Sequence, residues 1–161
     1  MTNKKKKEKL EQINEKSRSL MEPYAEQLRN TGLIVEWLPD DVYPDCSLFS
    51  CCLTKNDMYK GDELIGIYLT APEIDWVHPE KYDLEKYNPS IYFSIASKIR
   101  EIKDSSITKT GIKNKTKYEF IGSKKYEEKD FKTVLEWAKY VVQKVKDIKQ
   151  QEKIDKMQTD F

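Results

Sequence analysis

Apolar residues recur every three or four positions at both ends of the chain, which predicts a long amphipathic helix at each terminus. The N-terminal stripe, with one polar member, comprises Leu10, Ile13, Ser17, Leu20, Tyr24 and Leu28. The C-terminal stripe, in a helix from about Glu127 to beyond Lys149, comprises Phe131, Val134, Ala138, Val141, Val145 and Ile148. We expect Pro23 to kink the first helix or to begin a second, and Gly32 to end it.

Three segments between these helices have the composition and alternation of strands. Leu33–Leu38 alternates, Ser47–Thr54 is rich in Leu, Phe and Cys, and Leu64–Thr70 is rich in Ile and Leu. The polar stretch Lys55–Asp62 has the length of a hairpin connection. The simplest arrangement is a meander of three antiparallel strands.

The segment after Asn88-Pro89 is ambiguous between helix and strand. The spacing typical of a helix is found at Ile91, Tyr92, Ile95, Ile99 and Ile102. A strand is the competing interpretation because Ile91, Phe93 and Ile95 also alternate. We favour the helix because a capping residue followed by proline is typical of a helix start.

A second hairpin is predicted from Ser106–Thr110 and Lys117–Ile121, around Gly111 and Asn114. The element order is then α-βββ-α-ββ-α. This order predicts one α+β domain over residues 1–161, with long terminal helices on a single antiparallel sheet of about five strands. We expect the basic tail 1–9 and the polar helix end 150–161 to be disordered or to extend from the domain.

The charge of the chain is segregated although its net value is only +1. Residues 36–88 carry twelve acids and four lysines, whereas residues 98–126 carry nine bases and three acids. Such segregation concerns partners rather than fold. An interpretation within one molecule is that the two regions attract each other across the fold.

The basic region suggests nucleic-acid binding. Lys113, Lys115 and Lys117 lie beside Tyr118, and lysines neutralise phosphates while aromatic rings stack on bases. The alternative is a solvated, lysine-rich strand edge that blocks aggregation.

The acidic region suggests docking onto a basic protein surface. Trp76, Tyr82 and Tyr87 are interleaved with acids such as Asp75 and Glu80, and aromatic anchors among charges are typical of protein interfaces. The alternative is that Trp76, Tyr82 and Leu84 fold back over the core as a lid.

Motifs for catalysis or cofactor binding are missing from the sequence. The chain has one histidine, His78, and an odd number of cysteines: Cys46, Cys51 and Cys52. Neither the spacing of a zinc site nor a glycine-rich phosphate loop occurs. We therefore expect no metal and no cofactor. An enzyme would need a pocket in which His78 meets a cysteine or clustered carboxylates.

Our leading hypothesis is a non-enzymatic protein-binding module of the adaptor, inhibitor, immunity or chaperone type, with another protein as partner. A nucleic-acid-binding protein is the alternative, and an enzyme is the third hypothesis. No apolar run reaches the roughly 20 residues of a membrane span, so we expect a soluble protein. The odd number of cysteines, two of them adjacent, argues against a disulfide framework and favours a cytoplasmic location. We expect a monomer or a homodimer through the terminal helices. The 26 lysines and three arginines are typical of AT-rich bacterial or phage genomes.

Overall fold

The computed structural model describes residues 2–38, 48–55, 57 and 63–159. A 28-residue helix, α1 (Thr2–Arg29), opens the chain and continues through Pro23 as one element. Of the two effects expected of Pro23, the start of a second helix was therefore wrong. Gly32, with φ of +107°, follows its end, in agreement with the predicted stop. The chain closes with a 29-residue helix, α2 (Phe131–Thr159).

Within the described residues, seven strands lie between the helices. Five form one sheet, in the order β1-β2-β3-β4-β7, in which all four pairings are antiparallel. These five are β1 (Ile34–Trp37), β2 (Phe49–Cys52), β3 (Ile65–Thr70), β4 (Ser90–Ile95) and β7 (Lys124–Glu127). The other two, β5 (Lys98–Thr108) and β6 (Gly111–Ile121), form a separate two-stranded ribbon. The predicted α+β class, with terminal helices and a five-stranded sheet, is confirmed.

The central helix predicted over residues 91–102 was wrong, because this segment forms β4 and the start of β5. Ile91, Phe93 and Ile95 are buried on β4, directly opposite Leu69, Ile67 and Ile65 of β3. Burial of that alternating face therefore determines the local structure. The apparent helical spacing arose because Ile95 and Ile99 lie on different strands.

β4 to β7 form one long hairpin with a bend in its middle. Ile95 pairs with Lys124 in the sheet, and Lys98 pairs with Ile121 in the ribbon. Both strands advance by three residues between these pairs, so the register is unchanged across the bend. The sheet and the ribbon are therefore set by a single strand pairing.

Both helices cover the same face of the sheet. Tyr24 of α1 contacts Phe93 of β4 at 5.4 Å between ring centroids, and both rings contact Phe131 of α2, at 4.7 and 5.0 Å. The opposite, outer face is more polar. By register it carries Ser50, Cys52, Gly66, Tyr68, Tyr92, Ser94 and Lys125.

The two helical stripes are partly as predicted. On α2 the predicted positions from Phe131 to Val145 are buried, whereas Ile148, the last of the predicted stripe, is half-buried. On α1 the stripe passes through Met21 and Ala25, while Leu20 is exposed. The ends predicted as disordered or extended are helical from Thr2 and as far as Thr159.

The loop over residues 71–89 packs against α1. Lys9 and Lys16 donate from Nζ to the carbonyl oxygens of Tyr82 (2.9 Å) and Leu84 (3.0 Å). Ser17 donates from Oγ to the Ile13 carbonyl, so its contact with Tyr87 at 2.5 Å is one in which the phenol donates. Ser17, the polar member of the α1 stripe, thus binds the loop through Tyr87. Lys9 and Lys16 bring positive charge from α1 to the acidic region of the chain.

We predict that Tyr87→Phe lowers the free energy of unfolding at pH 7 by about 1 kcal/mol, the net value of one hydrogen bond. Burial raises the pKa of Tyr87 from 10.0 to about 12. Full stabilisation is therefore present below pH 10, and the wild type loses stability up to pH 12 because the unfolded chain ionises over this interval and the folded chain does not. Tyr87→Phe does not titrate, so it becomes the more stable protein near pH 12. The difference between the two proteins should change over that interval by on the order of 2 kcal/mol. Denaturant titrations at several pH values measure it.

The control for this experiment is Tyr140→Phe, because Tyr140 is an exposed tyrosine on α2. That variant should keep the pH dependence of the wild type. Identical pH dependence of Tyr87→Phe and wild type between pH 10 and 12 would contradict the assignment.

Candidate functional site

The β5–β6 ribbon is the most distinctive surface feature of the molecule. Its strands have eleven residues each, which corresponds to a length of about 37 Å at roughly 3.4 Å per residue. The turn at its tip consists of Lys109 and Thr110, between the paired residues Thr108 and Gly111. Ile107 beside the tip is 90% exposed. Within the described residues the ribbon pairs with no strand of the sheet.

Register divides the ribbon into two faces of different chemistry. Lys113, Lys115 and Lys117 occupy alternate positions of β6 and therefore share one face. Lys98 and Arg100 on β5 belong to that face as well. We call the side of the ribbon that carries these five cations the lysine face. The same side also carries two acids, Asp104 and Glu119, and Glu119 forms an ion pair with Arg100 at 3.2 Å.

Tyr118, which the sequence grouped with the lysines, is not on the lysine face. It is paired with Glu101 and shares the opposite face with Phe120. The side chains of Lys113, Lys115, Lys117 and Tyr118 themselves lie outside the described part of the structure. The ribbon thus brings the three predicted lysines together and separates them from the predicted tyrosine.

The ribbon leaves the sheet at a bend made by two small residues. Ser97 donates from Oγ to the Ile121 carbonyl at 3.0 Å. Gly122 faces Ser97 with φ of +73°, and a Cβ at this position would overlap the Ser97 Oγ. Both the positive φ and the close approach therefore require glycine.

A small cavity of about 180 Å³ lies at the base of the ribbon. It is bounded by residues of the sheet, the bend and the ribbon. They are Glu63, Leu64, Tyr68, Ser94, Ile95, Ala96, Phe120, Gly122 and Ser123. We call it the base cavity.

The base cavity continues into a row of aromatic and cationic groups on the outer face. Tyr68 and Tyr92 stack at 5.1 Å between centroids with an interplanar angle of 14°. The Nζ of Lys125 lies 4.1 Å from the centroid of the Tyr92 ring, within range of a cation–π interaction. Sequence reasoning missed this row, because the helix predicted over residues 91–102 obscured the outward position of Tyr92 on a strand.

The predicted protein-docking residues are engaged within the loop to different degrees. Tyr87 is only 5% exposed, and Trp76 and Tyr82 are half-buried against the core. Asp75 accepts from the Val77 backbone N–H at 3.0 Å. The pKa of the Glu80 carboxyl is lowered by its own backbone N–H and by the nearby His78.

The cysteines and the histidine on which catalysis would depend lie in different segments, and the described cysteines are buried whereas the histidine is exposed. Cys51 and Cys52 are buried on β2, and burial raises the pKa of both thiols. His78 lies in the exposed part of the loop, with Nδ1 3.3 Å from Glu80 Oε1. Cys46 lies outside the described residues. Among those described, no three His, Cys, Asp or Glu side chains are grouped so as to hold a metal ion.

Comparisons with family models, curated proteins and solved structures gave no match to this chain. Over the described residues, neither helix has an apolar stretch long enough to cross a membrane.

We predict that Gly122→Ala destabilises the protein by more than about 1 kcal/mol, since a left-handed conformation is unfavourable for alanine and the new methyl meets Ser97. Adding Ser97→Ala should recover the part due to steric overlap. Thermal unfolding of the two single variants and the double variant measures the coupling.

Gly111→Ala provides the matched comparison, because Gly111 also has a positive φ but its added Cβ would have no neighbour within 4 Å. Ser97→Ala should bring no recovery in that background. If Ser97→Ala changed the thermal stability equally in both backgrounds, the close approach of Ser97 to Gly122 would be contradicted.

Proposed function

We propose that this protein binds nucleic acid through the lysine face of the β5–β6 ribbon. The observation that carries the proposal is the register, which places Lys113, Lys115 and Lys117 on one face of a long ribbon separate from the sheet. Successive members are about 7 Å apart along the strand, twice the rise per residue. A linear polyanion can therefore meet several cations at once.

The chemistry of the lysine face favours contacts to the phosphate backbone over base readout. Lysine is a flexible point charge, whereas the bidentate recognition of bases and phosphates is typical of arginine. Arg100 is the only arginine of the ribbon and is paired with Glu119. Phosphate contacts by themselves carry no sequence information. We therefore propose binding with little sequence preference.

A purely protective role is the alternative to binding. Edge lysines protect strands that would otherwise associate through unpaired backbone groups. Within the described residues the ribbon pairs with no strand of the sheet, so its lysines would protect the edges of the ribbon itself. Protection alone would leave the protein without salt-dependent affinity for nucleic acid, and the next experiment measures that affinity.

We predict that replacing Lys113, Lys115 and Lys117 with glutamine weakens nucleic-acid binding by about tenfold or more at low salt, because up to three phosphate contacts are lost. The slope of log affinity against log salt concentration should decrease in magnitude by about 2–3. Fluorescence anisotropy with a labelled 20-nucleotide DNA over a salt series measures both quantities.

The matched control replaces Lys132, Lys139 and Lys146 on α2, which are exposed, so that the change in net charge is the same. That variant should retain the salt slope of the wild type. Equal losses in both variants, or no salt-dependent binding by the wild type, would refute the proposal.

Docking of a basic protein onto the 71–89 loop is the second candidate function. The observation that favours it is an exposed apolar residue, Val77, which is 68% exposed beside the half-buried Trp76. Asp75 and Glu80 supply negative charge nearby. A partner that covered Val77 and approached these carboxylates would combine an apolar anchor with complementary charge.

We predict for this candidate that Val77→Lys abolishes capture of a partner from a host lysate. The substitution should change the free energy of unfolding by no more than about 0.5 kcal/mol, as is usual at the surface. Thr133→Lys, at an exposed position of α2, is the control with the same charge change. Capture that survives Val77→Lys, or that is lost equally with Thr133→Lys, would exclude this surface.

A further inference from the structure

We infer that the bound nucleic acid is single-stranded and that one unpaired base occupies the base cavity between Tyr68 and Phe120. This inference rests on the proposed function and specifies its ligand. The base cavity lies at the base of the ribbon, where Phe120 of β6 lines it from the face opposite the lysine face. A nucleic acid held along the lysine face therefore reaches the cavity around the edge of the two-stranded ribbon, a path that a flexible single strand can follow.

The volume of the cavity limits what it can hold. At about 180 Å³ it is smaller than the roughly 300–1,000 Å³ of typical small-molecule and cofactor sites. A site of this size suits one ring system rather than a whole small molecule. The occupant is thus one ring of a longer ligand, and the remaining binding energy must come from elsewhere, in this case from the ribbon.

The walls of the cavity suit a planar aromatic ring. Tyr68 lines it and is held in orientation by stacking on Tyr92, whose own ring is contacted by Lys125. Phe120 supplies a second aromatic wall from the ribbon. Aromatic side chains that fix unpaired bases by stacking are the usual means of binding single strands, and they tolerate different bases because every base has a π face.

The charges around the cavity indicate that a base rather than a phosphate enters it. Among the residues that line the cavity, Glu63 is acidic and none is cationic, so the lining offers no positive charge to hold a phosphate. Ser94 and Ser123 offer hydroxyl groups that can donate or accept hydrogen bonds at the edge of a base. Lys125 lies outside the lining, above Tyr92, where it can meet the phosphate next to that base.

A duplex would not use this cavity, because its bases are stacked in the helix and must be extruded before they can enter a pocket. Binding to the ribbon alone would leave duplex and single strand equally acceptable. The single-strand preference is therefore the property that separates the cavity from the lysine face.

The test uses the full-length protein with a labelled 20-nucleotide single-stranded DNA, the RNA of the same sequence, and the DNA duplex. The variants are Tyr68→Leu and Phe120→Leu, which keep an apolar side chain but remove the stacking surface. Tyr140→Leu on α2 is the control. Circular dichroism and thermal unfolding first establish that each variant is folded.

We expect wild type to prefer the single strand, and each cavity variant to lose about 5- to 150-fold in single-strand affinity, the loss that removal of one stacked base implies. Duplex affinity should not change. A 2-aminopurine placed along the strand should be quenched by the wild type and less so by Tyr68→Leu.

The failures of the two proposals are distinguishable. If the cavity variants bind single strands as the wild type does while the ribbon lysine variant does not, the base cavity is not a base site and the proposed function stands. A preference for duplex would also overturn the inference. Absence of binding to all three nucleic acids would overturn both proposals.

Discussion

The packing of Phe93 is the contact on which the rest of the structure depends. Its ring meets α1 through Tyr24 and α2 through Phe131, and its backbone lies on β4 between β3 and β7. Because the buried face of β4 is fixed by this cluster, its other face must point away from the helices. Tyr92 is thereby placed on the outer face, and the hairpin that continues from β4 leaves the sheet at a defined position.

The bend between sheet and ribbon connects this core to the candidate binding surface. An unchanged register runs from Tyr92 to Thr108 on one strand and back on the other, so the faces of the ribbon follow from pairing alone. Ser97 and Gly122 permit the change of direction. The lysine face, the base cavity and the Tyr68–Tyr92 stack thus depend on one hairpin and one close backbone approach.

Sequence patterns predicted the terminal helices and the first strands because each buries a continuous stripe or alternating face. They failed at residues 91–102, where isoleucines on two consecutive strands imitate helical spacing. The lysines of the ribbon were identified from charge, but their common face required the register. The base cavity could not be foreseen, since Tyr68 and Phe120 are far apart in sequence and line one cavity only because β4 leads into the ribbon.

Lysine footprinting tests the central claim most directly, because it reports which cations a nucleic acid covers. The protein, alone and with a saturating 20-nucleotide single-stranded DNA, is acetylated briefly and each lysine is quantified by mass spectrometry. The account predicts protection of Lys113, Lys115 and Lys117, with Lys132, Lys139 and Lys146 of α2 unaffected. Protection centred on α2, or equal modification of the ribbon lysines with and without DNA, would contradict it.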